Sequence, residues 1–172
     1  MRMRCWVSAL LLLPAAVLAD GDPGAGVQAS AAGPGRTKLV FNAGRGPALV
    51  VTRDSVVPAN ARPEQAQLLG MLGESVAIVA DSYRSRLNQG SGQCGAGEER
   101  FLRIVRLVPR PAKETFRTKL ASCWNDIELQ SESGVQWSPA SGKLQIRWLL
   151  GPVPTLRLQI DADGSVKELK PA

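Results

Sequence analysis

The chain has no histidine, and this absence excludes several familiar kinds of active site. A Ser-His-Asp triad or a Cys-His pair needs an imidazole to take the proton from the nucleophile. Imidazole is also the commonest metal ligand in proteins. An enzyme that uses a serine and a lysine, or a pair of carboxylates, remains possible.

Cysteine is scarce as well, because Cys5, Cys94 and Cys123 are the three in the chain. Cys5 lies in the N-terminal segment that we interpret below as a signal peptide, so two cysteines remain in the mature chain. Without histidine, these two cannot complete a tetrahedral zinc site, and we expect no bound metal and no cofactor. In an oxidising compartment the two cysteines of a small domain usually pair. The sequence therefore predicts a disulfide between Cys94 and Cys123, which would stabilise the fold by about 3.5 kcal/mol.

Aromatic residues make up only 5% of the chain, and the formal net charge is +6. So few rings and so weak a charge bias argue against nucleic acid as a partner. Basic residues are densest at positions 100–119, where an anionic partner could bind. We interpret them instead as the solvated face of a strand pair, partly neutralised by Glu98, Glu99 and Glu114. These basic residues are Arg100, Arg103, Arg106, Arg110, Lys113, Arg117 and Lys119.

The one long apolar run lies at residues 6–18, after Arg2 and Arg4 and before Ala19. This organisation is typical of a secretory signal peptide, which we predict at 1–19. The run is too short for a lasting membrane anchor, which needs about 20 residues. We therefore predict a periplasmic or secreted protein with no stable membrane anchor after cleavage.

Residues 20–36 consist mainly of glycine, alanine, proline and serine, with Val27 as the one large aliphatic side chain. Such a segment buries too little apolar surface to offset its chain entropy. We therefore predict a disordered linker over 20–36. The remaining residues, 37–172, are enough for a single domain.

Short apolar runs at 38–42 and 47–53 flank a glycine-containing turn and predict two strands, followed by a loop at 56–62. Pro63 with Glu64 is typical of a helix start, and an apolar stripe continues to Leu72, so we expect a short helix over 63–72.

Residues 74–88 fit either a continued helix or a buried strand, and we favour the strand. Two more strands are predicted over 101–108 and 116–129.

The C-terminal part alternates apolar and polar residues, which predicts an antiparallel meander with one face in the core. Leu144, Ile146 and Trp148 form one such apolar face. Asp163-Gly164 predicts a type I′ hairpin turn. The expected fold is mainly β, with α+β left open: an antiparallel sheet, sandwich or barrel-like domain with one short helix and one disulfide.

Two short motifs resemble ligand sites. Residues 90–95 match G-x-G-x-x-G, but no helix follows to receive a phosphate, so we interpret them as a flexible glycine loop. Residues 161–165 resemble the start of a calcium loop without its later acidic positions, so we interpret them as part of the hairpin.

Asp126 and Glu128 stand two residues apart, so on a strand they would share a face, as paired carboxylates of a glycoside hydrolase can. Trp124, Trp137 and Trp148 are most simply interpreted as core residues. Trp124 could instead mark a binding surface, because exposed tryptophan beside arginine is enriched at protein contacts.

These observations favour an exported binding protein without catalysis, an inhibitor or accessory protein of the bacterial-type envelope. Its partner would be an envelope protein or an anionic cell-wall component. The predicted contact surface surrounds the glycine loop at 89–97 and comprises Arg84, Arg86, Arg100 and Trp124. The alternative is an envelope hydrolase that uses Asp126 and Glu128.

Overall fold

The computed structural model describes residues 26–42, 46–85, 94 and 97–170. Within these residues the chain forms twelve strands in three antiparallel sheets. The predicted class, mainly β with packed antiparallel sheets and one disulfide, is confirmed. The predicted signal peptide, Arg86 and most of the glycine motif at 90–95 lie outside the described residues.

The N-terminal sheet has the order β1-β2-β3, with β1 at Val27–Ala31, β2 at Arg36–Phe41 and β3 at Ala48–Thr52. The prediction of a disordered linker is therefore wrong for the residues of β1. Backbone pairing with β2 holds this strand, and Val27 also packs into the core. Small side chains do not prevent such pairing, and the glycines serve the connecting turn, where Gly33 and Gly35 have positive φ.

The central sheet has the order β4-β5-β6-β7. These strands are β4 (Pro63–Leu72), β5 (Val76–Arg84), β6 (Glu98–Arg106) and β7 (Lys113–Ser122). Every residue of β5 except Arg84 is buried, because both faces of this sheet are covered. The preference for a strand rather than a helix after residue 74 is confirmed.

The helix predicted over 63–72 is wrong, because these residues form β4. Its apolar side chains divide between the two faces of the sheet: Leu69 and Leu72 pack against the C-terminal sheet, and Leu68 and Met71 against the N-terminal one. An irregularity in the pairing between Leu68 and Gly70 shifts the alternation by one residue. A doubly buried, bulged strand therefore has the apolar spacing of a helix.

The C-terminal sheet is centred on β10, which pairs with β11, β8 and β9, while β12 pairs with β11. A 3-10 turn, Glu132–Gly134, precedes β9. The predicted meander is confirmed. The strands are β8 (Glu128–Leu129), β9 (Val135–Ser138), β10 (Lys143–Leu150), β11 (Thr155–Ile160) and β12 (Val166–Glu168).

The hairpin predicted at Asp163-Gly164 is present, but its turn is not type I′. Asp161 O accepts a hydrogen bond from Gly164 N (2.9 Å), and Asp161 N donates one to Ser165 O (3.0 Å). Gly164 carries the positive φ, 80°. This is a type I turn closed by a left-handed glycine, the usual geometry of a three-residue hairpin loop.

The three sheets form three layers with a core on each side of the central one. One core joins Val76, Ile78 and Leu102 to Leu144 and Ile146 of the C-terminal sheet. The second core joins Ala77, Val79 and Val105 to Leu39, Phe41 and Val51 of the N-terminal sheet. Alternate residues of β5 supply the two cores, which fixes the register of its neighbours.

Candidate binding surface

The disulfide between Cys94 and Cys123, predicted from the sequence, is confirmed, with the two Cα atoms 5.6 Å apart. Cys123 directly follows β7, so the bridge lies at one end of the central sheet. Gly97 approaches it closely, since a Cβ at this position would stand 2.6 Å from Cys123 Cβ. Gly97 O also accepts a hydrogen bond from Ser85 N (2.9 Å), just beyond β5. The disulfide thus joins the ends of β5, β6 and β7.

Trp124 lies on the surface at this same end. Its side chain is 38% exposed, so the core interpretation is wrong. The strand predicted over 116–129 stops at Ser122, and a turn containing Trp124 follows. The indole Nε1 donates a hydrogen bond to Ser85 O (3.1 Å). This hydrogen bond holds Trp124 against Ser85, the residue that follows Arg84.

Glu99 supports this turn from beneath. The carboxylate is fully buried, and Oε1 accepts hydrogen bonds from Ser85 Oγ (2.7 Å) and Trp124 N (3.4 Å). The predicted role of Glu99 in neutralising surface arginines is wrong. Within the described residues its contacts position the ends of two strands instead.

Arg84 is exposed at the end of β5 and forms an ion pair with Glu64 through its Nε. Both residues line an open concavity of about 340 Å³. The rest of the lining comes from the segment just before β4 and its first residue, namely Asn60, Ala61, Arg62 and Pro63. Two arginines and one glutamate leave this lining with an excess of positive charge.

Arg53 fixes the wall of the concavity. Its buried guanidinium donates hydrogen bonds to the backbone carbonyls of Gly33 (3.0 Å), Arg36 (3.1 Å), Ala59 (3.0 Å) and Ala61. It also lies over the Tyr83 ring, 5.8 Å from the ring centre. The loop predicted at 56–62 is present, and this arginine clamps it to the turn between β1 and β2.

The four residues predicted as a contact surface have different positions. Arg84 and Trp124 lie at the same end of the central sheet, where Trp124 hydrogen bonds to Ser85, the residue after Arg84. Arg100 belongs to β6 near the same end, paired with Ser82 and Ala121, and its side chain is half-buried. Arg86 lies outside the described residues. We call Asn60, Arg62, Glu64, Arg84 and Trp124 the Arg84 surface.

Part of the Arg84 surface has no signal in the sequence. The local pattern predicts a helix start at Glu64 and an ordinary loop at Asn60 and Arg62. Their approach to Arg84 depends on the pairing of β4 with β5 and on the contacts of Arg53 with distant carbonyls. No local pattern encodes those contacts.

A buried polar cluster lies between the central and N-terminal sheets. Arg103 Nε donates to Asp81 Oδ1 (2.7 Å), and its NH1 donates to Glu114 Oε2 (2.5 Å). The Tyr83 hydroxyl donates to Asp81 Oδ2 (2.5 Å) and shares a hydrogen bond with Thr37 Oγ1 (2.8 Å). Arg103, Asp81 and Thr37 are at most 1% exposed, so the cluster joins layers rather than meeting a partner.

This cluster corrects the interpretation of the basic segment. Arg103 is fully buried and does not belong to a solvated face, although Glu114 does neutralise it as expected. Burial lowers the pKa of Arg103, but the carboxylates of Asp81 and Glu114 outweigh this and hold its pKa above the usual value. Burial also raises the pKa of Tyr83, and the negative charge of Asp81 adds to that rise.

Asp126 and Glu128 do not share a strand face. Asp126 lies in the turn after β7 with φ of 50°, and Glu128 begins β8. Both residues are exposed. The catalytic acid of a glycosidase is typically enclosed in a pocket, and neither carboxylate is enclosed here.

Among the described residues, no group of three or more His, Cys, Asp or Glu side chains is placed to hold a metal ion. In that same part of the chain, no helix is long and apolar enough to cross a membrane. No protein-family model matches the chain, and neither curated proteins nor solved structures give a match.

Proposed function

We propose that this chain is an exported binding protein without catalysis, and that it contacts an envelope partner through the Arg84 surface. The observation that carries the proposal is the placement of Arg84 and the exposed Trp124 at the same end of the central sheet, where the disulfide lies. Arginine and tryptophan dominate the binding energy of many protein contacts. The predicted signal peptide and the disulfide support an oxidising compartment outside the cytoplasm.

The chemistry of the surface favours a partner with an acidic group. Arg62 and Arg84 flank the concavity, and Glu64 offsets only one of the two charges. A carboxylate of a protein or of an anionic cell-wall polymer would compete with Glu64 for Arg84, and Trp124 would offer an apolar contact beside it. Rigid walls reduce the ordering cost of binding, and Arg53 and the disulfide supply that rigidity.

The proposal is tested by capture from envelope extract with immobilised protein. Arg84→Ala together with Trp124→Ala should lower the amount of the specifically captured partner about tenfold or more. Adding Arg86→Ala extends the test to the whole predicted surface. Arg110→Ala is the matched control, because Arg110 is an exposed arginine in the connection between β6 and β7. It should leave capture unchanged.

The thermal midpoint of unfolding of each variant shows whether a loss of capture comes from a lost contact or from a less stable fold. It should stay nearly unchanged in the variants, because both side chains lie at the surface. Undiminished capture would contradict the proposed surface. The alternative, a hydrolase that uses Asp126 and Glu128, stays a prediction, and the exposure of both carboxylates does not favour it.

A further inference from the structure

The tip of the β10–β11 hairpin is the most apolar exposed feature among the described residues. Leu149 is 64% exposed, Leu150 53% and Val153 41%. Pro152 and Pro154 beside them are exposed too. We call Leu149, Leu150 and Val153 the apolar tip. Large apolar side chains held together in water mark a surface that meets another apolar phase.

The fold supports this tip in a fixed position. Trp148 N donates a hydrogen bond to Pro154 O (3.0 Å), which closes the loop. Gly151 packs on the indole of Trp148, because a Cβ at residue 151 would lie 2.8 Å from Trp148 Cγ. Trp148 itself is 6% exposed and belongs to the core. The loop that carries the apolar tip is therefore anchored to the core through Trp148.

Two arginines flank the tip on the outer face of the hairpin. Leu144, Ile146 and Trp148 point into the core, so Arg147, which is half-buried, lies on the opposite face of β10. Arg157 lies on the same outer face of β11, where it pairs with Gln145. Residues 148–156 between the arginines contain no charged side chain. Along the hairpin, these two arginines therefore border a segment that is uncharged and largely apolar.

We propose that the apolar tip inserts reversibly into the surface of a phospholipid bilayer that contains anionic lipids. Leu149, Leu150 and Val153 would enter the boundary between headgroups and acyl chains, with Arg147 and Arg157 beside the lipid phosphates. Peripheral membrane contact combines apolar burial with attraction to anionic lipids in this way. The inference uses a different surface from the Arg84 surface and does not rest on the proposed function.

The composition of the tip favours lipid over a protein partner. Leucine and valine are under-represented among the residues that dominate protein contacts. The three exposed side chains lie in and beside the loop that joins β10 to β11, with Arg147 and Arg157 on the strands next to it. One acidic residue opposes the attraction: Glu128 is exposed and pairs with Leu150 across β8 and β10.

Vesicle flotation with the exported protein tests the proposal. The protein should float with vesicles of phosphatidylglycerol and phosphatidylethanolamine, and much less with vesicles of phosphatidylcholine and phosphatidylethanolamine. Replacing Leu149, Leu150 and Val153 together by serine should lower the partition coefficient at least about tenfold. The matched control, Val50→Ser with Val108→Ser, removes two equally exposed apolar side chains elsewhere and should change nothing.

Removing the negative charge of Glu128 gives a second, independent test. Glu128→Gln should strengthen partition into the anionic vesicles up to about fivefold, because it removes a repelled charge beside the tip. Absence of wild-type flotation, or equal flotation of the serine variant, would overturn the proposal. Size-exclusion chromatography gives one more contradicting result. The proposal would be wrong if the wild-type protein were a dimer held together by the apolar tip, and if the serine variant were a monomer that floats as well as the control variant.

Discussion

At the scale of single residues, two buried arginines, Arg53 and Arg103, connect parts of the chain that are far apart in the sequence. Arg103 joins two carboxylates between the layers, and Arg53 binds backbone carbonyls from two loops. Removing one partner of a buried ion pair leaves an uncompensated charge, which typically costs about 3–5 kcal/mol. These arginines could not be recognised from the sequence, because an arginine in an alternating strand normally points to water.

Tyr83 gives a pH prediction at the residue scale. Its pKa is raised in the folded protein by burial and by Asp81, so folding favours the neutral phenol. The stabilisation is therefore complete below the ordinary tyrosine pKa of about 10. Above that pH the unfolded chain loses its proton first. The free energy of unfolding should then fall by about 1.4 kcal/mol per pH unit from this group.

The measurement uses the fact that Tyr83 is the only tyrosine in the chain. Phenolate absorbance should appear only together with loss of the fold during an alkaline titration. A Tyr83→Phe variant should lack this tyrosine contribution to the fall in stability. Ionisation near pH 10 with the fold intact would contradict the buried Tyr83–Asp81 contact.

At the scale of elements, regular strands were predictable, both the alternating ones of the C-terminal sheet and the continuous apolar run of β5, whereas the bulged strand β4 and the strand β1 with small side chains were not. Strands β10 and β11 alternate cleanly, because their outer residues meet water. Strand β4 has apolar residues on both faces and a bulge, so the spacing of its apolar residues resembles that of a helix. Strand β1 has few apolar side chains, so its sequence does not predict a strand. Its backbone pairing with β2 keeps it in the sheet.

Gly70 provides the test of β4 as a strand between two sheets. A Cβ at residue 70 would lie 2.3 Å from Trp137 Cδ1, so the indole of β9 occupies that space. Gly70→Ala should therefore destabilise the protein by about 1–3 kcal/mol in urea unfolding. Gly26→Ala is the control, because no atom lies within 4 Å of its Cβ position. Equal stability of both variants would contradict the packing of Trp137 on β4.

At the scale of the whole molecule, the sequence located only part of the candidate surface. The disulfide and the antiparallel pairing of β5 with β6 placed Arg84 and Trp124 at one end of a sheet, as the cysteine spacing and the strand pattern indicated. The concavity beside Arg84 depends on contacts between residues far apart in the chain, which local patterns do not record. The apolar tip was visible only as an uncharged stretch, and its exposure required the structure.

Site-specific photocrosslinking tests the central claim, that the Arg84 surface binds an envelope partner, most directly. A photoreactive amino acid replaces Arg62 in the concavity, and in a control protein it replaces Lys38, an exposed residue of β2. After irradiation in envelope extract, we expect one discrete adduct from position 62 and none from position 38. Excess unlabelled protein should suppress the adduct, and excess unlabelled Arg84→Ala with Trp124→Ala should not. No adduct from position 62, or the same adduct from both positions, would contradict the claim.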